Sequence, residues 1–441
     1  MSIQQNFPAI SPSLNLNFAR SKTLDPRITF SRTSTATRVN EQGLVEVVSA
    51  DIPRFDHEYD ASTGVVKSLG LLVEEQRTNF IKNGTSFDAN WGNNDPTVGS
   101  GNAAQILTNT TETLSPDGTN NAAKIIQANN GWQRILQGVT LDNNNRHTFS
   151  IFVKQGNSDM CVVEVTGNFS AGGRIQWNFN TETFTEYSDV NWANLKYEKY
   201  PNGWYRLSGD FLATSISGTS GAVWFFPGDD YNGVPTTPAS YTYVYGYQLE
   251  EGAFPTSYIP TSGSTATREP DSVTMTGDNF SDWYNQEQGS FLWIGNVYSR
   301  EISPVQPFRV NQGANLRGLG IQFDTRSANN STSFVSRTQT SNIPGKVGPS
   351  GIIPSDNKIK IAGGYIESVG LSTIRAAFNG LPEDSYTGSS QTDITYDTMY
   401  EIEIMGNRGI SGTNNQFTGV CEQLVYYPRI LSDDQLQNLT K

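Results

Sequence analysis

Two histidines, two cysteines and two pairs of adjacent acids are the side chains of this 441-residue sequence best suited to chemistry. His57 and His147 lie far apart, outside any HExxH block and outside any spacing that gathers metal ligands. No G-x-S-x-G elbow and no phosphate-cradling glycine loop accompanies them. Cys161 and Cys421 read as buried free thiols of different domains, acting as small apolar side chains. Glu74/Glu75 and Glu250/Glu251 suggest glycoside hydrolysis, a reaction that places two carboxylates on either side of one bond. Neighbours on a strand point to opposite faces, however, so neither pair can flank the same glycosidic bond. Carboxylates drawn from distant segments stay open at this level. The chain also lacks the coil-length repeats of a β-helical depolymerase. The reading is a non-enzyme, with no catalytic residue, no cofactor and no metal.

Binding residues are easier to find. Sugar sites use aromatic faces against the apolar side of the ring, with Asp, Asn and Gln on the hydroxyls. Trp132, Trp192, Trp204 and Trp224 are aromatic candidates, and Asp229 and Asp230 follow on a loop. Trp132 and Trp204 each open a strand after an Asn-Gly turn, a position that also suits a core side chain. Trp192, in the polar phrase DVNWANL, is expected to be exposed. Two acids are not a calcium ligand set, so Asp229 and Asp230 also fit a solvated loop. Tyr241, Tyr243, Tyr245 and Tyr247 alternate along one run, which predicts four rings on one strand face. That face suits core packing, a subunit interface or a ligand platform, and Arg77 joins the four as an interface candidate.

The elements carrying these residues are strands. Charged residues make up only 17% of the chain, while 41 glycines and 49 aromatics (8 Trp, 19 Tyr, 22 Phe) suit a turn-rich β protein. TFSIFV at 148–153, CVVEV at 161–165, RIQWNF at 174–179 and AVWFF at 222–226 are short apolar runs between turn signals. SFLWIGNV at 290–297, with runs near 320–323, 358–362, 374–378 and 400–405, repeats the pattern later. The prediction is all-β: two β-sandwiches of jelly-roll or lectin-like type behind an irregular N-terminal arm, with one short C-terminal helix. Ser432 with Gln435 forms the capping box of that helix.

The expected divisions are 1–82 as a polar arm, 83–262 as the first sandwich and 263–441 as the second. The arm, with Arg20, Arg27, Arg32, Arg38 and Arg54 along it, cannot bury much core alone and must pack against something else. Two phrases recur near the boundaries: GLLVEE at 70–75 parallels GYQLEE at 246–251, and STATR occurs at 34–38 and again at 264–268. They suggest one joining device used twice. The net charge of −13, with no basic stripe, argues against a nucleic-acid partner, since phosphate binding needs clustered Lys and Arg. MSIQQNFPAI lacks the basic and apolar regions of a secretory signal, and no stretch has the apolar length to cross a bilayer.

Three blocks in order, SRTSTATR at 31–38, PRFD at 53–56 and LGLLVEEQRTN at 69–79, resemble a phrase set of bacteriophage structural proteins. YQLEEGAFPTSYIP at 247–260 resembles the closing phrase of carbohydrate-binding-module-like sandwiches in phage proteins. The strand, Tyr-Pro-Arg turn and helix of GVCEQLVYYPRILSDDQLQNL at 419–439 resemble the end of a laminin-G or concanavalin-A-like sandwich, which Phe378-Asn379-Gly380 also fits. These resemblances imply a virion protein assembled in the host cytoplasm: a tail or head fibre or spike subunit, or a capsid or tail decoration without host ligand. They imply other virion proteins as partners of residues 1–82, host-surface polysaccharide as ligand, and a homotrimer. A polysaccharide depolymerase is the lesser reading.

Overall fold

The computed structural model describes residues 8–87, 91–92, 104–127, 133–141, 144–167, 173–187, 192–213, 220–228, 239–298, 305–311, 318–324, 331–337, 345–347, 358–368, 371–379, 381–382, 386–389, 399–405 and 417–441. The chain is all-β, folded as two β-sandwiches with a short C-terminal helix. The first sandwich faces two antiparallel sheets together. One runs Ile135–Thr140, Ser220–Phe226, Met160–Gly167, Gly173–Asn178, Thr183–Tyr187. The other runs Ala193–Tyr200, Trp204–Leu212, Arg146–Gln155, Tyr241–Glu251, Ala123–Gln127, Ala104–Leu107. Alternation sets the inward faces: Cys161, Val163 and Val165 of one sheet meet Phe149, Ile151 and Val153 of the other in a single buried cluster.

The second sandwich is assembled from both ends of the sequence. Its larger sheet orders Leu371–Phe378, Ile359–Ser368, Gln288–Val297, Gly419–Tyr427, Val65–Val73 and Arg54–Asp60 side by side. Leu14–Asn17 pairs with the C-terminal half of Gly419–Tyr427, and Val65–Val73 pairs with its N-terminal half. In the facing sheet, Thr29–Ser31 pairs with Ser272–Thr276, which pairs in turn with Glu401–Ile404. Leu14, Leu16, Phe18, Phe55, Leu71 and Val73 therefore share one core with Trp293, Phe308 and Tyr426. The N-terminal segment does pack against another part of the protein: it supplies strands to that part's sheets. LGLLV is a core strand, and Glu74 directly after it stays buried at the sheet's end.

Local signals act as written. Asn202 and Gly203 both take positive φ, so Tyr200 and Trp204 pair directly across the turn. Ser432 accepts from the Gln435 backbone while the Gln435 side chain accepts from the Ser432 N–H, closing the capping box of Asp433–Thr440. Asn130 and Gly131, the other copy of the turn, lie outside the described residues, as does Gly380. Among the described residues, no helix is long and apolar enough to cross a membrane.

Candidate functional site at the junction of the sandwiches

The phrases that stood out in the sequence converge on one buried place. Arg32, Arg54 and Arg268 meet Glu74, Glu250 and Asp271 there, and all six side chains are buried. Arg54 donates to Glu74 at 2.6 Å and to Asp271 at 2.5 Å. Arg32 donates to the other Asp271 oxygen at 3.0 Å, and Arg268 lies 3.0 Å from Glu74. Ser257 closes the Glu74 shell with its N–H at 2.7 Å and its hydroxyl at 2.6 Å. Glu250 joins through Thr256, whose hydroxyl accepts from Arg268 and donates to Glu250. Three cations balance three anions, and the shared hydrogen bonds offset the desolvation that a buried charge incurs. Burial by itself would raise the Glu74 carboxyl, but the Arg268 and Arg54 guanidiniums bring it down to about 2. It stays ionised.

Backbone and amide contacts stitch the same junction. Asn79, at the end of LGLLVEEQRTN, donates to the carbonyls of Tyr247 and Ile259. Its Oδ1 accepts from the N–H groups of Ile81 and Leu249, so the buried amide is fully used. Arg77–Asn79 pairs with Ala266–Arg268, which brings the second STATR against QRTN. The two STATR copies are not equivalent: Arg268 enters the ion lattice, whereas Arg38 pairs with Glu46 near the surface. The echo GLLVEE/GYQLEE does mark equivalent roles, since Glu74 and Glu250 both reach the lattice. Their neighbours diverge as strand geometry requires: Glu75 pairs with Arg77, and Glu251 accepts from Asn145.

Above the lattice lies a cavity of about 630 Å³ whose floor includes Glu74, Thr256 and Ser257. Three separate segments wall it. Asp56, His57, Glu58 and Tyr59 come from the N-terminal segment. Asn194, Lys196, Glu198, Tyr200 and Arg206 come from the first sandwich, and Asn296 and Tyr298 from the second. Asp56 accepts the Val39 N–H at 2.7 Å, yet burial pushes its carboxyl up to about 7, with the Glu74 charge adding to the rise. Burial, together with Asp56, Glu198 and Glu58 nearby, pushes the Tyr298 phenol well up. His57 donates its Nδ1–H to the Val39 carbonyl at 3.0 Å, and its buried Nε2 has no partner. Burial lowers its pKa, favouring the neutral ring.

The individually predicted residues lie elsewhere. Trp192 is not exposed: just before the strand Ala193–Tyr200 it turns into the sandwich core and packs edge-on to Phe149 and Phe211, each ring centroid 5.3 Å away. Trp204 is also core, its indole N–H donating to the Leu114 carbonyl at 2.8 Å. Trp224 is half-buried on the outward face, with the Arg134 guanidinium 4.0 Å over its ring. Trp132, Asp229 and Asp230 lie outside the described residues.

The four tyrosines do not share one face. Gly246 takes a positive φ and the pairing register shifts there, so Tyr243 and Tyr245 join one cluster and Tyr247 the opposite core. Tyr243 donates to Glu112 at 2.7 Å and Tyr245 to Asp117 at 3.0 Å, while Tyr241 stays half-buried beneath Lys124. Arg77 lies over Phe254 at 4.9 Å, inside the junction. His147 is buried between Phe80 and Phe211, and both cysteines are buried free thiols whose pKa burial raises.

Sequence reasoning missed Asp271 and Ser257, whose phrases EPDS and PTSYIP hold no charge pattern pointing to Glu74. It also missed the cavity. Asp56, Asn194 and Tyr298 have no spacing that could relate them.

No family model matches the chain, and no curated protein matches it. Among solved structures, it is similar to the CBM40 of the Ruminococcus gnavus IT-sialidase bound to α2,3 sialyllactose. That likeness has 16% identity over 36% of this chain and 84% of that one, with a TM-score of 0.30. Domain 4 of AbnA, a GH43 extracellular arabinanase from Geobacillus stearothermophilus in complex with arabinotriose, gives 14% identity over 43% and 81%, with a TM-score of 0.28. Domains LG4-5 of the mouse laminin alpha1 chain give 10% identity over 68% and 87%, with a TM-score of 0.23. These likenesses concern the β-sandwich fold alone.

Proposed function

We propose that the chain is a non-enzymatic structural protein of a bacteriophage particle, a fibre or spike subunit whose ligand is a host-surface glycan. The observation that carries the reading is where the resembling blocks go. SRTSTATR, PRFD, LGLLVEEQRTN and the QLEEGAFPTSYIP phrase supply Arg32, Arg54, Glu74, Glu250 and Ser257 to one buried junction. A fibre or spike must hold its modules in a fixed relation under load, and a buried ion lattice of shared hydrogen bonds between sandwiches gives that rigidity. In this reading residues 83–262 form the outer sandwich, and the N-terminal segment, folded into the second sandwich, faces the particle. Trimer formation belongs to the same reading, and light scattering on the purified chain measures it. Enzymatic turnover is set aside because the resembling blocks build a joint.

The test is immunogold electron microscopy of particles from a phage that encodes the chain. Label at fibre or tail tips is the expected result. Label on the capsid or along the tail would replace fibre by decoration protein. An absence of label on intact and disrupted particles would overturn the virion reading.

A further inference from the structure

We infer that the cavity between the sandwiches is a binding site for a neutral saccharide, held by Tyr59 and Tyr298 with Asn296. The inference rests on the glycan half of the reading above and not on its virion half, so the two can fail separately. At about 630 Å³ the cavity falls within the roughly 300–1,000 Å³ of small-ligand sites, with room for a short oligosaccharide.

Its chemistry selects the ligand class. Tyr59 and Tyr298 are half-buried and both line the cavity wall. Amphipathic rings of this kind take the apolar face of a sugar. Asn296 is half-buried on the wall, and its amide carries the donors and acceptor that suit hydroxyls, while the exposed Asn194 beside it donates to Asp210 at 2.7 Å. Glu58 adds an exposed carboxylate. An apolar ligand would desolvate these groups without compensating them.

The charge pattern disfavours an anion. Lys196 pairs with Glu198 at 3.1 Å, Lys199 with Glu182 at 2.7 Å and Arg38 with Glu46 at 2.9 Å. Arg206 donates to Ser150 and to the Thr256 carbonyl. The cations of the wall are thus committed within the protein, while Glu58 would repel a carboxylate or sulfate.

The three walls belong to three stretches of chain, so the site exists only when the junction is intact. That explains why it is invisible in any one segment.

The test is binding of the purified full-length chain to an array of neutral, sialylated and sulfated oligosaccharides, followed by titration calorimetry on any that bind. Neutral oligosaccharides are expected to bind. Asn296→Ala and Tyr298→Ala are expected to weaken them roughly ten-fold each, the loss of one well-placed contact. Tyr298→Phe keeps the ring and guards against misfolding; it should retain most affinity if the ring stacks. Trp224→Ala, on the outward face of the first sandwich, should leave binding unchanged. Binding to charged probes alone, binding to none, or loss with Trp224→Ala but not with the cavity variants would overturn the inference.

Discussion

Arg54 and Glu74 face each other at 2.6 Å from neighbouring strands of one sheet, and both side chains are withdrawn from solvent. Arg54 pairs in register with Leu72, so Glu74 stands two residues further on, where the strand leaves the sheet and turns toward Ser257 and Arg268. One carboxylate thereby ties the N-terminal segment, the end of the first sandwich and the start of the second.

Removing that carboxylate leaves two buried guanidiniums short of charge. Glu74→Gln is expected to cost about 3–5 kcal/mol, the range for breaking a buried pair at one side. Differential scanning calorimetry should show one cooperative transition for the parent chain and two separated transitions for the variant. A single transition at unchanged temperature would refute the joint.

Acid should loosen the same joint. The Glu74 carboxyl lies at about 2 in the folded chain against 4.5 for the free group. A depressed carboxyl contributes stability that is complete above about 4.5 and fades as pH falls toward 2. The loss should reach about 2–3 kcal/mol, read by urea unfolding at successive pH values. Glu74→Gln should flatten that dependence.

Asp56 should act with the opposite sign. Its carboxyl is raised to about 7 from 3.8, so the folded chain holds a proton that the unfolded chain has released. Stability from this group is therefore full below about 3.8 and declines as pH rises to 7. Asp56→Asn keeps the acceptor for the Val39 N–H and removes the charge. It should stabilise the protein by about 1–3 kcal/mol at pH 8, discounted for the partial solvent access of the site, and be neutral near pH 4.

Gly70 should tolerate no side chain. Its φ is +116°, and a Cβ there would run into the Cys421 carbonyl on the neighbouring strand. Gly70→Ala is expected to destabilise by about 2–4 kcal/mol in chemical denaturation, with the pairing of Val65–Val73 to Gly419–Tyr427 the first to open in hydrogen exchange.

Asn79→Ala should cost about 2–4 kcal/mol, since two backbone carbonyls and two N–H groups lose one buried partner together. Asn79→Asp keeps the two accepting bonds and should recover part of the loss. Equal destabilisation by both variants would show that the donating bonds carry the whole effect.

The sequence alone determined the elements. Alternation, Asn-Gly turns and the Ser432 capping box act over a few residues, and local geometry settles them whatever the rest of the chain does. Strands such as Arg146–Gln155 and Gln288–Val297 and the helix Asp433–Thr440 were therefore legible, as was the repeated phrase that delivers Glu74 and Glu250 to one place. What tertiary structure decided is which distant pieces meet. Nothing local tells Val65–Val73 that its neighbour is Gly419–Tyr427, or tells Asp271 that it shares Arg54 with Glu74. Local pattern misled at two points for the same reason. Polar neighbours made Trp192 look exposed until Phe149 and Phe211 closed on it, and one bulge at Gly246 turned Tyr247 away from Tyr245. Burial and register are properties of contacts between segments, and a period read along one strand carries no information about the strand beside it.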